Sequence, residues 1–360
     1  MIPIAKPQLD EAEVQAVSDV LRSGMIAQGQ RVTDFEQAFA EYTGVDYAIA
    51  VNSGTAALHA GLLAHDIGPG DEVVTSPFSF VATANSILFT GAKPVFSDID
   101  YDTFNLNPEM VAEKITDRTK AIMPVHLYGH PADMKAYEEI ANDNGLALIE
   151  DACQAHGATF NGKKAGSFGT GAFSFYPTKN MTTSEGGMIT TNDDEVAKKA
   201  KMVRDHGSRQ RYLHEMLGYN LRMTDICAAI GLVQLEKLES YTSKRQHNAQ
   251  LLTNGLQNIE GVICPTVRQG YGHVFHQYTI RIQNRDELAS FLKEKGIGTG
   301  IHYPIPIHMQ PYYQELGYTD KLPVAEELSE EVLSLPVHPQ VLGEEINFII
   351  DSLKEWSGTR

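Results

Sequence analysis

Three short stretches of this chain carry side chains that could do chemistry together. The first is AFSFYPTKNMTTSEGGMIT, residues 172–190. A largely apolar run there leads into Pro177, Thr178 and Lys179, and Gly186-Gly187 resets the chain for another apolar run. Most lysines are solvated surface charges. One held in a short loop between two strands that read as central is desolvated, loses proton affinity and becomes an amine nucleophile. The second stretch, LALIEDACQAHG, is an apolar run ending in Glu150 and Asp151, with Gln154 on the same side of the following turn. A carboxylate at that point either holds a positive charge in a dry site or caps the turn. The third, VNSGTAALHAGL, passes from Val51 through Asn52, Ser53 and Gly54 into a helix beginning near Thr55. Glycine permits close backbone approach, hydroxyls donate hydrogen bonds, and free N–H groups at a helix N-terminus favour an anion. The same residues also make an ordinary N-cap.

Such groups need a scaffold that brings them to one place. Short apolar runs at 47–51, 72–76, 94–97, 121–125, 146–150, 172–175 and 188–191 are bounded by turn residues. Most are too short and too continuously apolar for amphipathic helices. Helix-like segments such as 55–64, 79–89 and 132–142 lie between most of them. This rhythm predicts an α/β fold, a mostly parallel seven-stranded sheet covered by helices on both faces. Catalytic groups then gather beyond the strand ends. After Thr224 the pattern changes to helical stretches at 225–238 and 242–257, followed by sparse strands and shorter helices. That predicts a large domain over 1–240 and a smaller α+β domain over 241–360, with the boundary near Tyr241. The segment IHYPIPIHMQP, 301–311, holds three prolines and must be extended or irregular.

The 360 residues carry 46 acidic against 29 basic side chains, a formal net charge of −17. That disfavours nonspecific attraction to nucleic acid or to an anionic membrane. Cys153, Cys227 and Cys264 are odd in number and widely spaced, as expected of reduced thiols in the cytoplasm. No run of 18 apolar residues and no leader-like N-terminus is visible. No metal site is expected either. His302 and His308, or His273 and His276, have spacings zinc tolerates but lack a nearby cysteine or carboxylate partner. The densest basic group is Arg204, His206, Arg209, Arg211 and His214 in VRDHGSRQRYLHE. It is either a solvated loop or a means of meeting an anionic substrate.

Taken in order, SGTAAL, EDACQAHG and SFYPTKNMTTSEGG resemble the DegT/DnrJ/EryC1/StrS family of sugar aminotransferases, within the fold type I pyridoxal-phosphate enzymes. The resemblance continues through PVHLYGHPADM, GYNLRMTDICAAIGLVQLEKL, HYPIPIHMQP and SLPVHP. It implies a cofactor, pyridoxal 5′-phosphate, that cycles through its pyridoxamine form. Lys179 would carry it as a Schiff base, and Asp151 would pair with the pyridine nitrogen, which needs an anionic partner to act as an electron sink. Gln154 would approach the ring, and Phe80 would stack on it. Ser53, Gly54, Thr55, the amide of Ala56 and the hydroxyl of Ser174 would hold the phosphate. Asn220 would reach the phosphate in a neighbouring subunit, which implies a homodimer with shared sites.

The implied reaction moves an amino group from L-glutamate to a nucleoside-diphosphate-linked 3-keto or 4-keto sugar, with Arg209, Arg211 and His308 as candidate substrate contacts. His126 and His156 read as satisfied structural histidines. Ser184 stands where many relatives have glycine, a change expected only to alter the turn. Two rival readings are a dehydratase or lyase of the same family and a DNA-binding regulator. Related dehydratases carry histidine at the lysine position. The acidic balance and lack of a basic recognition helix oppose the regulator. No G-x-G-x-x-G follows the first strand to suggest a nicotinamide dehydrogenase.

Overall fold

The computed structural model describes residues 1–358. All seven apolar runs become strands of one sheet: β1 (Tyr47–Val51), β2 (Glu72–Thr75), β3 (Lys93–Phe96), β4 (Thr119–Met123) and β5 (Ala147–Asp151) come first. Two-residue strands β6 (Thr159–Phe160) and β7 (Lys163–Lys164) intervene before β8 (Thr170–Ser174) and β9 (Gly187–Thr191) complete the sheet. The order is β1-β9-β8-β5-β4-β2-β3. Pairings from β8 to β3 are parallel, and β9 is antiparallel to both β8 and β1. The reversal has a local cause. Residues 175–186 fold as turns without a helix, so the chain returns beside the strand it has just left.

Helices cover the sheet: α1 (Glu11–Ser23), α2 (Gln30–Thr43), α3 (Gly54–Ala64), α4 (Ala82–Phe89), α5 (Pro108–Ala112), α6 (Met134–Asn144), α7 (Asp194–Arg204) and α8 (Asp225–Leu256). Nearly every residue of α3 is buried, as its AALHAGLLA sequence, apolar around most of the circumference, requires. Across the sheet, Phe35 and Phe39 of α2 meet Phe173 and Phe175 in tilted and edge-on contacts of 5.0–5.5 Å. The helix break expected near Tyr241 is absent. Residues 239–245 contain neither glycine nor proline, and α8 runs unbroken for 32 residues.

The hairpin β10 (Ser208–Gln210) and β11 (Leu213–His214) follows α7, and β12 (Tyr271–Gly272) joins β6 and β7 in a small ribbon. A second core gathers β13 (Tyr278–Arg281) and α9 (Arg285–Glu294), then, beyond α10 (Pro311–Glu315) and α11 (Pro323–Glu331), β14 (Val332–Leu335) and α12 (Gly343–Gly358). The C-terminal half of α8 packs into it, and so does Ile2. The Ile2 N–H donates to Gly296 at 2.8 Å, and its carbonyl accepts from Gly298 at 2.8 Å. No helix among the described residues is long and apolar enough to cross a membrane.

Successive strand residues face opposite sides, and at the end of β5 this separates two carboxylates by role. Glu150 is fully buried and accepts four hydrogen bonds: from His126 Nε2 at 3.0 Å and from the amides of Gly166, Phe168 and Gly169 at 2.7, 2.8 and 3.0 Å. His126 Nδ1 accepts from the Ala132 N–H at 2.9 Å, so this histidine is satisfied as expected. Burial pushes the Glu150 carboxyl up, but the bonds from His126 and the glycine amides outweigh it and hold it below its ordinary 4.5. Its stabilisation is therefore full above about pH 4.5 and is lost as pH falls through the lowered value. Glu150→Ala is expected to lower the unfolding free energy by about 3–5 kcal/mol. Urea denaturation measures this, and Glu150→Gln should flatten the acid limb of the stability profile.

Candidate active site

Beside that structural carboxylate, Asp151 faces the other way. It is buried, its Oδ2 accepts from the Thr83 hydroxyl at 2.7 Å, and its Oδ1 accepts from the Cys153 N–H at 3.2 Å. The Thr83 hydroxyl in turn meets Ser79 Oγ at 2.8 Å. Thr83 belongs to the first turn of α4, and nothing near it in sequence marks it as a site residue. Its signal, a hydroxyl four residues after Ser79, exists only once the sheet brings α4 to β5.

Lys179 follows β8 in a turn closed by its own N–H on the Tyr176 carbonyl at 2.9 Å. The side chain is partly buried. Burial lowers its proton affinity, and the neighbouring Cys153 and Asp151 pull the other way. β5 pairs with β8 so that Asp151 lies opposite Ala172. The register thus carries lysine and aspartate to the same end of the sheet. The connection 180–186 is pinned by Thr183 N to Phe175 O at 3.0 Å and Phe175 N to Gly186 O at 2.9 Å. Ser184 within it has φ +74°, the left-handed region where glycine is at ease.

The N-terminus of α3 presses against β8. A Cβ on Gly54 would sit 2.5 Å from Ser174 Cβ, so only glycine lets helix and strand close to this distance. Ser53 caps the helix by accepting from the Ala56 N–H at 3.1 Å. Ser53, Gly54, Thr55, Ala56 and Ser174 therefore do surround one helix N-terminus, a surrounding that suits a phosphate. In this structure the Ala56 amide is engaged by Ser53, and a bound anion would have to share or replace that cap.

Gln154 acts as a clamp. Its Oε1 accepts from the Tyr128 N–H at 2.8 Å, and its Nε2 donates to the Tyr303 hydroxyl at 3.2 Å. Tyr303 comes from the proline-rich 301–311 segment, whose irregular course was expected but whose tyrosine was not singled out. Burial, reinforced by Asp151, raises its hydroxyl pKa. Phe80 is 57% exposed, its ring 6.3 Å from that of Tyr303. The two rings form part of the wall of a cavity of about 600 Å³. Lys179, Asp151 and the start of α3 are not among the residues lining that cavity; a buried carboxylate, a desolvated amine and a helix N-terminus closed onto Ser174 are the groups that suit pyridoxal phosphate.

Other expected positions fall elsewhere. Asn220 is exposed, and its carbonyl accepts from Asn52 Nδ2 at 3.4 Å, which places it next to the α3 entrance. Arg209 and Arg211 lie on the exposed β10–β11 hairpin. Their polar contacts are local, to Glu215 at 3.8 Å and to the Tyr212 hydroxyl at 3.2 Å. Arg204, from the same basic run, is buried against Glu36 and the Ala50 carbonyl. His308 needs correction as a substrate contact. It is 1% exposed, hydrogen-bonded to Glu326 at 3.3 Å and packed near Phe96. The prolines turn it into the interior rather than toward solvent. His156 also departs from expectation. Neither ring nitrogen makes a hydrogen bond of ordinary geometry, and burial, with Lys179 nearby, holds it down at about 3.

A profile of the DegT/DnrJ/EryC1/StrS aminotransferase family matches residues 7–354. The chain belongs to this family. It is 46% identical over 354 residues to a protein of Geobacillus stearothermophilus called a pleiotropic regulatory protein, covering 97% of this chain and 95% of that one. It is 42% identical over 364 residues to the GDP-perosamine synthase of Caulobacter vibrioides, covering 98% of each. The crystal structure of S. venezuelae DesV in complex with a ketimine intermediate superposes with a TM-score of 0.93 at 40% identity, covering 96% of this chain and 94% of that one. Aminotransferases of this family depend on pyridoxal phosphate, and this chain is such an aminotransferase.

Thr83→Val should separate the Asp151 contact from packing, because the shape is kept while the hydroxyl is lost. A hydrogen bond to a charged group contributes about 1.5–3 kcal/mol. The variant is expected to lower kcat by roughly ten- to a hundredfold with little change in KM for the amino donor. Steady-state kinetics with the purified holoenzyme checks this.

Proposed function

We propose that this aminotransferase transfers the amino group of L-glutamate to a nucleoside-diphosphate-linked 3-keto or 4-keto sugar. It would act as a cytoplasmic homodimer and feed amino-sugar synthesis for surface glycans or related products. The observation that carries the reading is that desolvated Lys179 and buried Asp151 come to the same end of the sheet. Relatives named for dTDP- and GDP-linked sugars support the substrate class.

Bound pyridoxal phosphate supplies an electron sink for the charge left when a proton leaves the donor's α-carbon. The protein's own groups do the rest. The Lys179 amine, when free, would take that proton from the donor's α-carbon and return it at the cofactor's C4′ carbon from the same face. Desolvation lowers the proton affinity of this amine, which makes it a better proton acceptor than a solvated lysine. Asp151 keeps the ring nitrogen protonated, and the Thr83 hydroxyl fixes the carboxylate's orientation. Gln154, held at both ends, keeps Tyr303 in place beside the ring site. Phe80 and Tyr303 shield one face from water. Thr55, Ser174 and the amides at the start of α3 hold the phosphate, with Asn220 contributed across a dimer. Arg209 and Arg211, exposed and without a buried partner, supply positive charge for the substrate diphosphate.

Neither the regulatory nor the dehydratase reading gains a supporting observation. The net charge of −17 works against DNA, and a lysine stands where the dehydratases have histidine.

Lys179→Ala is expected to lose the visible absorbance of the lysine–cofactor adduct and to slow transamination by at least roughly 10²–10⁴-fold. A still-yellow, fully active variant would overturn the assignment. Arg209→Ala and Arg211→Ala are expected to raise KM for the sugar nucleotide more than KM for glutamate. Kinetics against UDP-, dTDP- and GDP-linked keto sugars tests both the arginines and the nucleotide, and unchanged KM values would remove the hairpin from the site.

A further inference from the structure

The first ten residues form a strap across both cores. Ile2 is tied to Gly296 and Gly298, His338 Nε2 donates to the Pro3 carbonyl at 3.1 Å, and the Gln8 carbonyl accepts from Gln234 Nε2 at 2.8 Å. Gln234, buried on α8, also accepts from the Thr182 N–H at 3.4 Å. It therefore joins the strap to the loop that carries Lys179.

Between strap, loop and α8 lies a small cleft of about 10 Å³, with Gln8, Lys179, Asn180, Gln234 and Arg245 among its walls. It has room for one water-sized occupant. Three of these residues each carry one buried polar atom without a partner: Arg245 Nε, Asn180 Oδ1 and Gln8 Oε1. The remainder of the Arg245 and Asn180 side chains is set. Arg245, 5% exposed, donates through Nη1 to the carbonyls of Phe275 and His276 at 3.1 and 3.3 Å. Asn180 Nδ2 donates to the Val274 carbonyl at 3.2 Å, which fixes the amide with its oxygen as the unpartnered atom.

One unpartnered donor and two unpartnered acceptors on residues lining a single-molecule space match water and little else. The two oxygens disfavour an anion there, and the guanidinium disfavours a cation. We infer that the cleft holds an ordered water accepting from the Arg245 Nε–H and donating to the Asn180 and Gln8 side-chain oxygens. Three hydrogen bonds is the usual complement of a buried water. Through Asn180, the neighbour of Lys179, this water ties the reactive loop to the strap and to α8. Gln8 and Arg245 are thereby positioning residues for Lys179. The inference rests on Lys179 being the cofactor-bearing amine. That is read first, by borohydride reduction and peptide mapping of the wild-type holoenzyme, so its failure is distinguishable from failure of the water bridge.

The test is the glutamate half-reaction of the holoenzyme, followed by stopped-flow absorbance in Gln8→Leu, Arg245→Met and the double variant. Each single variant is expected to slow the step by roughly ten- to a hundredfold, as misplacement of a reacting group does, with the apparent glutamate Kd unchanged. The double variant should be no slower than the slower single one, because both break the same bridge. Arg245→Lys, which keeps the charge but lacks the Nε–H, should behave like Arg245→Met and serves if the latter does not fold. A high-resolution crystal structure should show a solvent peak within hydrogen-bonding distance of all three atoms, lost in Gln8→Leu. Multiplicative losses in the double variant, unchanged rates in the single ones, or an anomalous bromide peak in that position after soaking would overturn the inference.

Discussion

On the proposed function, Lys179 has to be kept short of water while Asp151 stays close enough to act on the same bound ring, and most of the architecture around the site is consistent with that constraint. Burial makes the amine's charge unfavourable, and Asp151 partly restores it. A base poised this way needs a rigid frame, since a small shift would change both effects. The frame is the parallel β5–β8 pair, with Asp151 in register with Ala172 and both strands largely buried. Gly54 then brings the N-terminus of α3 onto Ser174. The helix N-terminus proposed to hold the phosphate and the loop of Lys179 are thus both anchored on one strand. Glu150, one residue before Asp151, anchors the same strand on its other face through four hydrogen bonds.

The second core takes part through two extended segments rather than through its helices. Prolines hold 301–311 in an irregular course that sets Tyr303 against Gln154, and the Tyr128 hydroxyl donates to the His302 carbonyl from the sheet side. The N-terminal strap crosses from Gly296 to Gln234 on the far end of the same network. Groups from widely separated parts of the sequence therefore meet around a single loop.

How much of this was legible in the sequence depends on the range of the interaction involved. The seven strands could be read because continuous apolar runs bounded by turns are a local signal of burial on both faces. Lys179, Asp151 and Gly54 stand out as candidates because each lies at or just beyond the end of such a run. The antiparallel return of β9 depends on how 175–186 turns, and the unbroken course of α8 depends on what is missing from 239–245. Neither has a periodic signature. Thr83 and Tyr303 owe their roles to contacts 68 and 149 residues away in sequence, and no nearby residue announces them. His308 misled for a related reason. It reads as a candidate substrate contact on an irregular segment, whereas Glu326 and Phe96 hold it inside.

The central claim is that Lys179, and no other lysine, holds the cofactor. Borohydride reduction of the holoenzyme would make that bond permanent, and peptide mapping by mass spectrometry would locate it. The account predicts the phosphopyridoxyl label on the peptide spanning Phe175 to Met181, at Lys179. A label on any other lysine, or none after reduction of a yellow holoenzyme, would contradict it.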